Sequence, residues 1–342
     1  MLILAREAAG LTQKELADLL EISQGHISKL EDGLLLTLSD EILSKLESKL
    51  SRPASFFYQQ AVARAACEAF YRKKSALPKS VLRQCDAVMN IKRIQIERLS
   101  ANAEFSTEEL PYCDPDEFRG GAVEIARHLR RLWKLPRGPV KNLTLVAENA
   151  GCVVVHMDFG TRKLDGVSLL GSDNTPMIFL NPAFPADRMR FTLAHELGHL
   201  VMHRFPTPDM ESQAHAFASE FLMPEAEIRS SFYPVSIDRL ARLKLHWCVS
   251  MAALLKRGTS LGAINERYGR YLWMQMGKYG YRETEPHEQE IPFERPQLLK
   301  ELVDVHIEEL HYSTSEMAAA LTMHKADFED TYLNNGRLRI VA

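Results

Sequence analysis

The chain has 342 residues, 46% of them hydrophobic and 25% charged, which is enough apolar content for two or three packed units. Its formal net charge is −3, so no global excess of positive charge demands a polyanion or an anionic membrane as partner. No apolar run reaches the length of a membrane span, no opening segment reads as a signal peptide, and the five cysteines (Cys67, Cys85, Cys113, Cys152 and Cys248) form no C-x-x-C pair, so the expectation is a cytoplasmic protein with reduced thiols.

Residues 11–20 read as a short amphipathic helix with Thr12 as N-cap. Glu21-Ile22-Ser23 is a turn, and Ser23 caps a second helix over residues 24–31. Leu16, Ala17, Leu20, Ile22, Ile27 and Leu30 have the spacing that packs two helices across a tight turn. This stretch, running on to Pro53-Ala54-Ser55-Phe56-Phe57, resembles the lambda-repressor-like (Xre-type) helix-turn-helix. The resemblance implies an operator DNA partner, with the second helix entering the major groove by its N-terminal residues. It places Gln24, Gly25, Ser28 and Lys29 against DNA, His26 at the margin, and Gln13 on phosphate while bracing Gln24. A palindromic operator would make the protein a homodimer. Against this, residues 1–60 hold six Lys/Arg and nine Asp/Glu, a poor balance for phosphate binding. The other reading of the module is a helical dimerisation or docking unit. The chain opens only nine residues before Gly10, so either the first helix is trimmed or the true start lies elsewhere.

Residues 61–100 reverse the charge balance, with nine Lys/Arg and three Asp/Glu. Tyr71-Arg72-Lys73-Lys74-Ser75 and the pattern over residues 81–99 read as a basic amphipathic helical linker, which either extends the DNA footprint or is a solvated face. The acidic, proline-containing residues 107–116 are a loop; residues 127–135 are helical, closed by Pro136-Arg137-Gly138-Pro139. Three strands follow at 151–158, 166–170 and 176–181, with Gly171-Ser172-Asp173-Asn174 as turn chemistry between the last two. An edge strand here can hold an extended peptide by main-chain hydrogen bonds. Asp158-Phe159-Gly160-Thr161 and Asp165-Gly166 are read as ordinary turns rather than ligand loops.

The most informative stretch is His195-Glu196-Leu197-Gly198-His199. Two histidines four apart lie on one helix face, roughly 6 Å apart along the axis, a spacing that suits two imidazoles sharing one zinc ion. The adjacent glutamate can then act on a water held beside the ion. Leu193, Leu197 and Leu200 fall together on the side away from the histidines and predict docking into a core. Gly198 costs on the order of 1 kcal/mol against alanine in a helix, so its presence predicts a close neighbour.

A catalytic zinc takes three protein ligands and keeps one position open. Residues 209–223 read as a second helix ended by Pro224, with small Ala214 and Ala218 allowing close approach to the first. On it Glu211 is the leading third ligand. His203 is four residues beyond His199, too far along the helix for one ion to reach it together with His195. Glu220 and Asp209 are weaker rivals. His215, one turn after Glu211, is either a rival ligand or a partner behind the ligands.

Taken together, H-E-L-G-H and then Glu211, Gln213, Ala214, Phe217, Ala218, Leu222, Met223 and Pro224 resemble the ImmA/IrrE metallopeptidases. The resemblance implies that His195, His199 and Glu211 hold Zn2+, that Glu196 is the general base, and that the substrate is a protein such as a repressor from a mobile element or stress response. His215 departs from it, standing where that family usually has Asn or Asp. Residues 240–257 resemble the helical tail of the same peptidases; the Val249-Ser250 step superficially mimics another helix-turn-helix but is read as core packing. Residues 313–321 are of the same type, capped by Ser313 or Ser315, and residues 280–342 carry no functional signal.

The expected fold is mostly α and multi-domain: an all-α helix-turn-helix over 1–58, a helical linker over 59–120, an α+β zincin-like peptidase domain with a small sheet over 121–275, and a helical region over 276–342. The expected function is a zinc endopeptidase that cleaves a regulator and binds DNA, with no membrane partner. Two alternatives stand beside it: a DNA-binding regulator whose peptidase-like domain is a sensor, and one half of a toxin–antitoxin-like pair.

Overall fold

The computed structural model describes residues 1–34, 38–59, 77–101 and 110–334. The N-terminal unit comprises α1 (Leu2–Ala8), α2 (Gln13–Leu20), α3 (Gln24–Glu31), α4 (Asp40–Leu50) and α5 (Ala54–Phe57). Both expected caps form. The Thr12 hydroxyl accepts from the Glu15 N–H while the Glu15 carboxylate accepts from the Thr12 N–H, and Ser23 accepts from the His26 N–H. Glu21 turns the chain between the helices with a φ of 60°. Leu16, Leu20, Ile27, Leu46 and Phe56 close a small core.

Helix α6 (Lys79–Ser100) overturns the expectation of a solvated basic linker. Cys85, Ala87, Met89, Ile91, Ile94, Ile96 and Leu99 are spread around its circumference, and a helix apolar on every side is buried. Ala87, Ile91 and Ile94 complete the N-terminal core. Cys85, Met89 and Ile96 cover one face of the sheet, and Leu99 joins a C-terminal cluster. The basic groups turn inward too. Lys92 donates to the Tyr332 hydroxyl at 2.8 Å, Arg93 pairs with Glu97 at 2.6 Å, and Arg98 donates to the Ala320 carbonyl at 2.9 Å. These three cations are therefore withdrawn from any DNA footprint; residues 71–75, the other part of that expectation, lie outside the described residues.

Next come α7 (Gly121–Leu132), α8 (Leu143–Asn149), β1 (Val153–His156), β2 (Gly166–Leu170) and β3 (Pro176–Leu180). The expected strands thus form, β2 over the residues expected and β1 and β3 trimmed at their ends. The sheet order is β1-β3-β2, with β3 parallel to β1 and antiparallel to β2, so β2 is an edge. Side chains alternate across it. Val153, Val155, Val167, Met177 and Phe179 face α6, while Val154, Ile178 and Leu180 face the main core. With both faces covered, β1 is buried at every residue and shows no polar alternation.

The main core is made by α9 (Ala186–Met202), α10 (Met210–Leu222), α11 (Glu225–Ile228), α12 (Ile237–Trp247), α13 (Met251–Ser260) and α14 (Glu266–Lys278). Between α12 and α13, Cys248 adopts a φ of 53° and Ser250 caps α13 by accepting from the Ala253 N–H. Leu240, Leu243, Trp247, Met251, Leu254 and Leu255 on these two helices are core residues. Then α15 (Leu298–Glu308), α16 (Thr314–Ala320) and α17 (Lys325–Phe328) gather around Leu99 of α6, with Ser313 as the cap of α16. Among the described residues no helix is long and apolar enough to cross a membrane.

Three buried or half-buried carboxylates tie the connection between these two halves. Glu285 accepts from the Met251 and Ala252 N–H groups at the start of α13 and from Lys244. Glu294 pairs with Arg190 and accepts from the Thr144 N–H. Glu148 accepts from the Gln297 and Leu298 N–H groups that open α15. Burial pushes the Glu148 carboxyl up to about 7, against the pull of those N–H donors. The folded protein thus holds this proton more tightly than the unfolded chain, and the stability so gained is lost as pH rises from about 4.5 through about 7. Glu148→Gln stays neutral throughout. Its melting temperature relative to wild type is expected to be higher at pH 8 than at pH 5; an offset that does not change with pH would refute this.

Candidate metal centre and recognition helix

Helix α9 supplies the first two groups. His195 and His199, one turn apart, bring their Nε2 atoms to 3.1 Å from each other. Leu193, Leu197 and Leu200 are buried on the core side, as their spacing predicts. Glu211, in the first turn of α10, reaches His195 Nε2 with Oε2 at 3.5 Å and His199 Nε2 with Oε1 at 3.6 Å. Ligand atoms of these three residues all lie within 4.8 Å of one another. Among the described residues this is the only such His/Cys/Asp/Glu group. The adjoining imidazoles, His195 first and then His199, hold the Glu211 carboxyl well below the usual carboxylate range. Two imidazole nitrogens and one ionised carboxylate are a donor set suited to zinc. They line a cleft of about 250 Å³ together with Asp165, Gly166, Val167, Phe191, Thr192 and Glu196.

Glu196 follows His195 and is directed toward β2. There Ser168 donates its hydroxyl to Glu196 Oε2 at 2.7 Å, with both residues buried. The pleat explains why Ser168 is available. It is paired in register with Ile178, whose side chain faces α9, whereas its neighbours Val167 and Leu169 face α6. Sequence reasoning missed Ser168; the single polar residue on the inward face of an otherwise apolar strand was the available signal. The strand lies close to α9 because Gly166 has no side chain. A Cβ there would stand 2.7 Å from Thr192 Cγ2.

The groups behind the ligands differ from expectation. His215 is exposed and packs its ring on Phe191, with centroids 5.1 Å apart. Its imidazolium is disfavoured first by desolvation, then by Lys256 and His195. The contact to the back of His199 comes instead from His203, set aside as a ligand on grounds of reach: the two Nδ1 atoms are 3.0 Å apart. His203 Nε2 in turn lies 2.9 Å from Gln213 Oε1. Burial lowers the His203 pKa, with Gln213 opposing. Asp165 is tied to Arg188 at 2.8 Å, and Asp158 accepts from the Gly160 N–H, which fits their reading as turn residues. Glu220 is held by Arg127 and Arg257 and Asp209 precedes α10, so neither joins the cluster.

On the N-terminal unit, Gln24, Gly25 and Lys29 of α3 are exposed, and Ser28 is half-buried and donates to Asp32 at 3.3 Å. Space is open above Gly25, where an added Cβ would meet nothing within 4 Å. Gln13 does not brace Gln24. Its amide donates to Glu31 Oε2 at 2.7 Å, and the other oxygen of Glu31 takes Arg6 at 2.6 Å. An ionised acceptor is a stronger partner than a neutral amide, and this triad locks α1, α2 and α3 together.

The glycine at 198 sets the distance between α9 and α10. A Cβ there would stand 2.8 Å from Phe217 Cδ1, and Phe217 is fully buried and stacked on Phe221. Alanine would gain about 1 kcal/mol of helix propensity, but overpacking costs about 1–3 kcal/mol where the neighbour cannot move. Gly198→Ala is therefore expected to lower the melting temperature and, by displacing Glu211 from the histidines, to weaken zinc binding in a chelator titration. If neither changes, the packing argument fails.

A family model described as helix-turn-helix matches residues 2–57, and one described as IrrE N-terminal-like domain matches residues 147–259. No curated protein matches the chain. The polypeptide thus carries, in this order, a segment that matches an Xre-like helix-turn-helix model and a segment that matches the IrrE N-terminal-like (ImmA/IrrE) metallopeptidase model.

Proposed function

We propose that the protein is a zinc-dependent endopeptidase with a DNA-binding helix-turn-helix, cleaving a transcriptional repressor or other regulator. The observation that carries this reading is the convergence of His195, His199 and Glu211 beside a glutamate that a buried serine holds in place. A zinc ion held by those three residues supplies, when bound, the Lewis acidity that activates a water and polarises a peptide carbonyl. Glu196 takes the proton of the attacking water and returns it to the leaving amine. Ser168 occupies Oε2 of Glu196, which leaves Oε1 to carry that proton. The edge strand β2, whose start lines the cleft, offers main-chain groups to an extended substrate segment. Gln24, Gly25, Ser28 and Lys29 are assigned to operator DNA, with Gln13 acting through Glu31 rather than through Gln24.

A second reading treats the chain as a DNA-binding regulator whose metal domain senses zinc or a partner. What favours it is α6, which packs at once on the helix-turn-helix core and on the sheet that carries Ser168.

Metal analysis separates the two readings from an inert domain. About one zinc per chain is expected in wild type and none in His195→Ala; no zinc in wild type, even after reconstitution, would refute a metal centre. Glu196→Gln is expected to keep its zinc and to lose cleavage of a regulator substrate at least 100-fold. Retained cleavage would refute the mechanism, and zinc without cleavage in wild type would favour the sensor. Gln24→Ala combined with Lys29→Ala is expected to weaken operator binding in a mobility-shift titration without changing zinc content; unchanged binding would remove α3 from the DNA interface.

A further inference from the structure

We infer that His203 and Gln213 act as positioning residues that fix the tautomer of His199, presenting its Nε2 lone pair to the metal before the metal arrives. The inference rests on the zinc reading above for its purpose, but its geometry stands apart from it. Three side chains form one line: His199 Nδ1 to His203 Nδ1 at 3.0 Å, then His203 Nε2 to Gln213 Oε1 at 2.9 Å.

With Oε1 of Gln213 turned toward His203, the hydrogen-bonding inventory of these groups gives the following assignment for a neutral pair. Gln213 Oε1 can only accept, so His203 Nε2 carries a proton. A neutral His203 then has a bare Nδ1, which must accept. The donor opposite it is His199 Nδ1–H. A neutral His199 protonated on Nδ1 has its lone pair on Nε2, the atom that faces His195 Nε2 and Glu211. A competing arrangement exists in the metal-free protein, with His199 Nε2–H donating to Glu211 or to His195. That form would have to lose its proton before His199 could ligate. The relay removes this obstacle and orients the ring, the role that outer hydrogen-bond partners play at metal-binding histidines.

The fold builds the relay from two elements. His203 is the residue at which α9 ends; its φ of −119° and ψ of 109° take the chain out of the helix, while its N–H still bonds to the His199 carbonyl at 2.9 Å. Gln213 stands two residues after Glu211 on α10. One helix thus delivers both the third ligand candidate and the anchor of the relay, so the Gly198–Phe217 contact sets both distances together.

Two measurements on the full chain test this. The first is ¹⁵N-histidine NMR of the metal-free protein, which reads the tautomer of His199 directly. The Nδ1–H form is expected in wild type, and the Nε2–H form in His203→Phe. An Nε2–H tautomer in wild type overturns the relay, whatever the protein does with zinc. The second is zinc affinity by chelator competition. His203→Phe removes the acceptor but keeps a ring, and is expected to bind about 10–100-fold more weakly. His203→Asn, which returns an acceptor near the Nδ1 position, is expected to recover most of that loss. Gln213→Met keeps the side-chain length and is expected to weaken binding several-fold, whereas Gln213→Glu keeps an acceptor and is expected not to. Affinities within twofold of wild type for both His203→Phe and Gln213→Met overturn the positioning role. A wild type that binds no zinc yet holds the Nδ1–H form refutes the metal reading and leaves the relay standing.

Discussion

The distance between α9 and α10 is the constraint on which the candidate centre depends. Two histidines on one helix fix their own separation through helix geometry alone. The carboxylate that completes the group arrives on a different helix, and nothing in its local sequence determines how far away it stands. Gly198 against Phe217 determines it, with Ala214 and Ala218 presenting small side chains on the same seam. The seam is apolar and close-packed, so sub-ångström changes there are transmitted to the ligand atoms rather than absorbed. Gly166 against Thr192 does the same on the opposite side of α9, where it brings β2 near enough for Ser168 to reach Glu196. The cluster is thus flanked by two glycine contacts, one for each neighbour of the central helix.

Much of this was legible in the chain because it is local. The i, i+4 histidines, the apolar stripe of Leu193, Leu197 and Leu200, the caps at Thr12, Ser23 and Ser313, and the three strands each depend on residues a few positions apart. What escaped is non-local. Ser168 and Glu196 are 28 residues apart, and their meeting depends on strand register. Gln13 and Glu31 are 18 apart, and their bond depends on how α2 crosses α3. Helix α6 was misread for a different reason. Its lysines and arginines carry charge into the count, but long side chains can bury their stems and find internal acceptors, so composition alone did not reveal the burial of Lys92 and Arg93.

The carboxylates at 148, 285 and 294 solve a related problem. The chain leaves the core that carries the candidate metal centre after α14 and returns across it to reach the C-terminal helices. A crossing of that kind would strand backbone N–H groups at helix starts and buried cations at the interface. Glu148 and Glu285 each receive N–H groups from a helix start, and Glu294 and Glu285 each neutralise a buried cation, Arg190 and Lys244 respectively. Losing one partner of such a pair leaves an uncompensated buried charge, which is more damaging than never having had the pair.

Helix α6 bears on what counts as a unit in this molecule. The two segments that match family models end at residue 57 and begin at residue 147, and α6 belongs to neither. Yet Ala87, Ile91 and Ile94 finish one core, and Cys85, Met89 and Ile96 cover the sheet of the other. Excising either matched segment would bare apolar surface that the excluded helix now covers. The modules visible in the sequence are therefore not autonomous pieces of the fold. A single cut within α6 would unfasten the helix-turn-helix, the sheet and the C-terminal helices in one event.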